Sequence, residues 1–147
     1  MNLDELYSTI ISDHNREKHH SGLRDPYEAE VHHVNPSCGD EITLRVHLDG
    51  DVIADMSYDG YGCAISQASA SILGDLAVGH GIDNFSELYD GFLEMLHSKG
   101  TMELDEGRYE DAIAFVGVSK LPARVKCALL AWTALRDAVG QATSKEN

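Results

Sequence analysis

Cysteine is scarce in this chain, with three among 147 residues. So small and odd a number excludes a disulfide-stapled scaffold and leaves thiols for metal or redox chemistry in a reducing compartment. Proline is equally rare, at three residues, and no low-complexity tract occurs; with 43% apolar residues the composition is globular and not that of a disordered chain. Bases are few: 11 Lys and Arg face 25 Asp and Glu, for a net charge of −14. That balance opposes nucleic acid and anionic lipid as partners and suits a protein with a basic docking surface. No run approaches the roughly 20 apolar residues that span a bilayer, and the start, Met1-Asn2-Leu3-Asp4-Glu5-Leu6, is acidic where a signal peptide is basic. These absences predict a cytoplasmic protein of one domain over residues 1–147, without repeats.

What is present divides into helical and alternating segments. Leu3, Leu6, Tyr7, Ile10 and Ile11 recur at helical spacing up to about Arg16, with Asp4 and Glu5 at the positive end of the dipole. Ala29, Val31 and His33 then alternate with Glu30, His32 and Val34, which predicts a short strand ending near Asn35-Pro36. Ile42, Leu44, Val46 and Leu48 fall on one face, Asp49-Gly50 breaks the run, and Val52 to Tyr58 completes a hairpin. Helices are expected over Ala64–Val78, closely packed through Ala64, Ala68 and Ser71, over Ser86–Ser98, and from Pro122 to about Gly140 with a Val125, Leu129, Leu130, Trp132 and Leu135 stripe. The residues from Thr101 to Leu121 fit no single period, and Gln141–Asn147 reads as a frayed tail. Two strands alone are marginal in water, so a three-stranded sheet covered by helices, an α+β sandwich, follows.

Each cysteine sits where a side chain can be presented. Cys38 lies in the turn Asn35-Pro36-Ser37-Cys38-Gly39-Asp40, where Gly39 lets the chain fold tightly enough for the thiol and the Asp40 carboxylate to converge. Cys63 follows the glycine-rich Gly60-Tyr61-Gly62 and opens a helix, where unpaired N–H groups favour a thiolate. Cys127 follows Arg124 and Lys126, whose charges also favour the thiolate. Three thiols and one carboxylate make the four ligands of a tetrahedral zinc site. The competing reading is that Cys63 and Cys127 are small buried hydrophobes and Asp40 caps a turn.

The segments Asn35 to Asp40, Gly60-Tyr-Gly-Cys63-Ala-Ile-Ser-Gln-Ala-Ser-Ala-Ser71 and Arg124-Val-Lys-Cys127-Ala-Leu-Leu-Ala-Trp132 resemble, in order, those of the SufU group of the IscU/NifU-like iron–sulfur cluster assembly proteins. The resemblance implies an α+β fold with a small three-stranded antiparallel sheet covered by helices. It also implies the ligand set Cys38, Asp40, Cys63 and Cys127. Lys126 stands where IscU scaffolds usually carry histidine, and the stretch between Cys63 and Cys127 is longer. Both departures are similar to SufU.

What this group implies is a zinc-dependent sulfurtransferase that takes persulfide sulfur from a SufS-type cysteine desulfurase and works with other Suf proteins. Cys38, on the most loop-like segment, is the expected acceptor, and Arg124 is expected to steady the thiolate or persulfide. The alternative is a scaffold on which a [2Fe–2S] cluster is assembled and transferred through the same four residues. His19-His20 and His32-His33 are set aside as ligands, the first pair in a loop and the second on opposite faces of a strand.

Overall fold

The computed structural model describes residues 2–145. Helix α1 (Leu3–Glu17) is followed by strands β1 (Ala29–Asn35), β2 (Asp40–Asp49) and β3 (Val52–Tyr61), which form one antiparallel sheet in the order β1-β2-β3. Helices α2 (Ala64–Ala77), α3 (Ile82–Leu96) and α4 (Glu106–Tyr109), a run of 3₁₀ turns (Glu110–Lys120) and helix α5 (Pro122–Lys145) complete the chain. The expected α+β architecture is the one observed.

Alternation decides which face of the sheet is dry. Ile42, Leu44, Val46 and Leu48 of β2 are buried with Ala29 and Val31 of β1, while Arg45 on the other face pairs with Glu30 and lies 4.2 Å over the Tyr27 ring. Helix α5 covers β1 and β2, and α2 covers β3. Between these helices the Trp132 indole stacks on Phe92 at 4.0 Å, and its Nε1–H donates to Ser69 Oγ, which donates in turn to Ala128 O. That chain of hydrogen bonds ties the middle of α2 to the turn of α5 that follows Cys127.

Several expected boundaries move. Asp40 begins β2, opposite Asn35, and is not part of the loop, while β3 runs to Tyr61. Helix α3 starts at Ile82 rather than Ser86, because Gly81 serves as its N-cap and Ile82 N–H donates to Asp51 O at 2.8 Å. Helix α5 passes Gly140 and holds Ala142 in the core, so the described part of the expected tail is helical; Glu146 and Asn147 lie outside the described residues. Helix α1 is less amphipathic in place than in sequence: Leu3 and Leu6 are 64% and 40% exposed, and its buried residue is His14. Ala68 and Ser71 are buried as expected, but Ala64 is exposed. Among the described residues no helix is long and apolar enough to cross a membrane.

Candidate metal centre

Three chain crossings bring the chemistry-bearing residues to one end of the sheet. The turn 36–39 joins the paired ends of β1 and β2, with Gly39 at φ +71° and Cys38 N–H donating to Asn35 O at 3.3 Å. That left-handed conformation suits glycine and closes the turn so that Cys38 and Asp40 lie on the same side. Cys63 is the N-cap of α2 and its thiol makes no capping bond. Its backbone N–H donates instead to Asp40 Oδ1 at 2.8 Å, so Asp40 satisfies a helix-end donor across 23 positions of sequence. Cys127 lies in the second turn of α5, which begins with Pro122 as expected.

Cys38, Asp40 and Cys127 converge, with one ligand atom of each within 4.8 Å of the other two. The Cys127 thiol lies 3.1 Å from Cys38 Sγ, and both are free thiols. Cys63 stands at the edge of this group, its Sγ 3.9 Å from Asp40 Oδ2. Asn35 Nδ2 points at Cys127 Sγ from 3.7 Å, a donor of the kind that holds a ligating sulfur in place. Asp40 and Cys127 are fully buried, whereas Cys38 and Cys63 are half-buried. Access is therefore through the turn and the tip of α2.

The two cations that precede Cys127 face water, whereas its thiol is buried. Arg124 and Lys126 are exposed, and neither makes a side-chain hydrogen bond or ion pair among the described residues. Burial, followed by hydrogen bonds with Cys38, Asp40 and Cys63, pushes the Cys127 thiol far above its ordinary range. Desolvation outweighs two nearby cations that point into water. Cys127 thus meets half of the competing reading, being as buried as a core hydrophobe, yet it faces two polar ligand groups and not an apolar pocket.

The donor set fits zinc. Three sulfurs and a carboxylate oxygen are the atoms that a tetrahedral site takes, and a buried thiol that resists ionisation alone is stabilised as thiolate by a cation beside it. Asn35 was not singled out in the sequence; its place immediately before the turn and its amide were the only signals of a supporting role. Exposed Val34, Tyr61 and Leu121 stand in or next to the three segments that carry the cysteines.

Known proteins resemble this chain over nearly its whole length. The model of the NifU-like N-terminal domain matches residues 6–147. A zinc-dependent sulfurtransferase SufU of Bacillus subtilis (strain 168) is 38% identical, with 95% of this chain and 93% of that protein covered. An iron–sulfur cluster assembly scaffold protein IscU of Streptococcus pyogenes serotype M1 is 37% identical over 99% of this chain and 89% of its own length. The crystal structure of the N-terminal part of a nitrogen-fixing NifU-like protein from Brucella abortus superposes with a TM-score of 0.87 at 25% identity, covering 97% of this chain and 98% of that one.

Proposed function

This chain belongs to the NifU-like N-terminal domain family, and we propose that it serves iron–sulfur cluster assembly as a zinc-dependent sulfurtransferase fed by a SufS-type cysteine desulfurase. The observation that carries the reading is the gradient of access across one ligand set. Cys38 sits half-buried on a turn, 3.1 Å from a fully buried Cys127 and beside a fully buried Asp40. Cys38, Asp40, Cys63 and Cys127 would hold the zinc, which would supply the positive charge that keeps thiols ionised at neutral pH.

The chain's own groups then divide the work. The Cys38 thiolate attacks the terminal sulfur of the desulfurase persulfide; a new S–S bond forms at Cys38, the old one breaks, and the desulfurase cysteine leaves as a thiolate. Asp40 keeps Cys63 in place through the Cys63 N–H bond while Cys38 moves. Arg124, exposed and without a side-chain partner among the described residues, follows Ala123, whose carbonyl oxygen lies 3.8 Å from Cys38 Sγ, and swings in from solvent to steady the negative charge on the loaded sulfur. The apolar Val34, Tyr61 and Leu121 supply desolvated contact around the docking partner.

Anaerobic turnover of a cysteine desulfurase with this protein tests the reading. Wild type is expected to raise the rate and to gain one sulfur atom in mass, and Cys38→Ala to do neither. Unchanged stimulation by Cys38→Ala removes Cys38 as acceptor. A second reading, a scaffold for a [2Fe–2S] cluster, is favoured by the IscU relative and uses the same four residues for the cluster as cargo. Formation and onward delivery of a stable cluster chromophore, without sulfur gain at Cys38, selects it.

A further inference from the structure

Helix α2 carries Cys63 at its start and a second polar cluster in its last two turns. We propose that His14, His19 and Asp75 form a separate binding site for a divalent transition-metal ion of the zinc or ferrous class. One potential ligand atom of each residue lies within 4.8 Å of the other two. The residues come from the last turn of α1, the loop after it and the last turn of α2, so an ion there clamps the docked end of α1.

The case rests on how the second atom of each ligand is held. His19 Nδ1 lies 2.7 Å from Asp75 Oδ2, and His19 Nε2 lies 2.8 Å from Glu17 Oε1. His14 Nδ1 lies 2.7 Å from Ser71 Oγ and His14 Nε2 lies 2.8 Å from Asp111 Oδ2. Whichever His14 nitrogen turns to the ion, the other keeps a partner. Asp75 Oδ1 is held by His20 Nε2 at 2.9 Å. Ligating histidines and carboxylates are ordinarily fixed by such outer partners, which set the ring orientation and raise ligand basicity. Here all three ligands have one.

Chemistry and access agree. Two imidazoles and a carboxylate suit borderline divalent ions, and the acids Glu17, Glu110 and Asp111 add negative charge around them. His14 is 5% exposed, while the Asp75 side chain is 42% exposed. One ligand therefore anchors the site from below and another opens to solvent. A cavity of about 100 Å³ lined by Ile72, Asp75, Leu76, Glu110 and Asp111 borders the cluster on its Asp75 side. The cluster shares no residue with the cysteine site, and the proposal does not depend on the function given to that site.

Cobalt(II) is the test probe, since thiolate ligation produces an intense near-ultraviolet charge-transfer band and nitrogen–oxygen ligation does not. Equilibrium dialysis of the full chain under argon, with metal counted per chain, is expected to give two bound ions for wild type. His19→Ala and Asp75→Asn should each bind one, with the charge-transfer band intact, and Glu17→Gln should weaken the second ion by about 10- to 100-fold. Cys38→Ala should diminish the band and keep the second ion. Wild type whose bound cobalt is all accounted for by the thiolate band, or an ion outside that band that survives in both variants, overturns the proposal. Asp75→Asn preserves shape at a surface-open position and decides the matter if His19→Ala fails to fold by circular dichroism.

Discussion

Replacing Ser69 by alanine is expected to loosen the joint between α2 and α5. Ser69 and Trp132 are both fully buried, and Ser69 Oγ accepts from Trp132 Nε1–H at 3.0 Å while donating to Ala128 O at 2.6 Å. In Ser69→Ala the indole N–H has no acceptor, and a buried unsatisfied donor costs about 1–3 kcal/mol. The Ala128 carbonyl keeps its helical bond, so its loss adds little. Taking about 2 kcal/mol, and about 2–4 °C per kcal/mol for a chain near this length, the melting temperature should fall by about 4–8 °C. Circular dichroism during urea unfolding measures the stability of Ser69→Ala, Trp132→Phe and the double variant. Because the double variant has no orphaned N–H, it should be more stable than the summed single effects predict, by about 0.5–3 kcal/mol. A Ser69→Ala loss below about 0.5 kcal/mol, or strict additivity, refutes the argument.

Other expectations concern the site and its supports. A Cβ at Gly62, whose φ is +155°, overlaps Asp40 Oδ1 and crowds Ser66 Oγ, so Gly62→Ala should push the carboxylate aside and weaken zinc by about tenfold or more, measured by competition with a chromophoric chelator. After zinc is removed with a chelator, mild oxidation should join Cys38 to Cys127 before either pairs with Cys63, given their 3.1 Å separation; peptide mapping of the first-formed disulfide checks this. The Arg24 fork on Asp55, at 2.9 and 3.0 Å, holds the Asp55 carboxyl below its ordinary 3.8. A group lowered on folding stabilises above its unfolded value. Wild type should therefore exceed Arg24→Gln in urea stability by a constant margin at neutral pH, and the margin should shrink as pH falls below about 3.8. A margin that instead grows in acid contradicts the assignment.

The parts of the fold governed by local rules were legible. Asp49-Gly50 marked the hairpin, and Asp4 and Glu5 marked the start of α1. Boundaries set by distant partners were not. Gly81 has no side-chain oxygen to announce a cap, and Ile82 is recruited by a carbonyl in the hairpin turn. Glu110–Lys120 carried no helical period because 3₁₀ turns repeat every three residues. At the candidate site, the turn around Gly39 and the N-cap place of Cys63 followed from sequence, whereas the burial of Cys127 depended on α5 lying across two strands. Adjacent Arg124 and Lys126 suggested an ionised thiol; adjacency in sequence is not adjacency in space. His19-His20 does lie in a loop, but nothing near it in sequence announced the carboxylate that both rings reach, because Asp75 lies more than fifty positions further on.

Asp40 has two jobs at once, and they use different atoms. Oδ1 is committed to the N-cap amide of α2, and Oδ2 lies toward the Cys63 sulfur. A carboxylate so tethered cannot retreat when traffic passes. Any rearrangement that frees a ligand must fall on the four-residue turn, whose tip is joined to the sheet at two points and can flex between them without disturbing a helix. If Cys38 is the acceptor, fold and reactivity are separated within four residues: the carboxylate is the fixed post, and Cys38 would be the gate that swings on it.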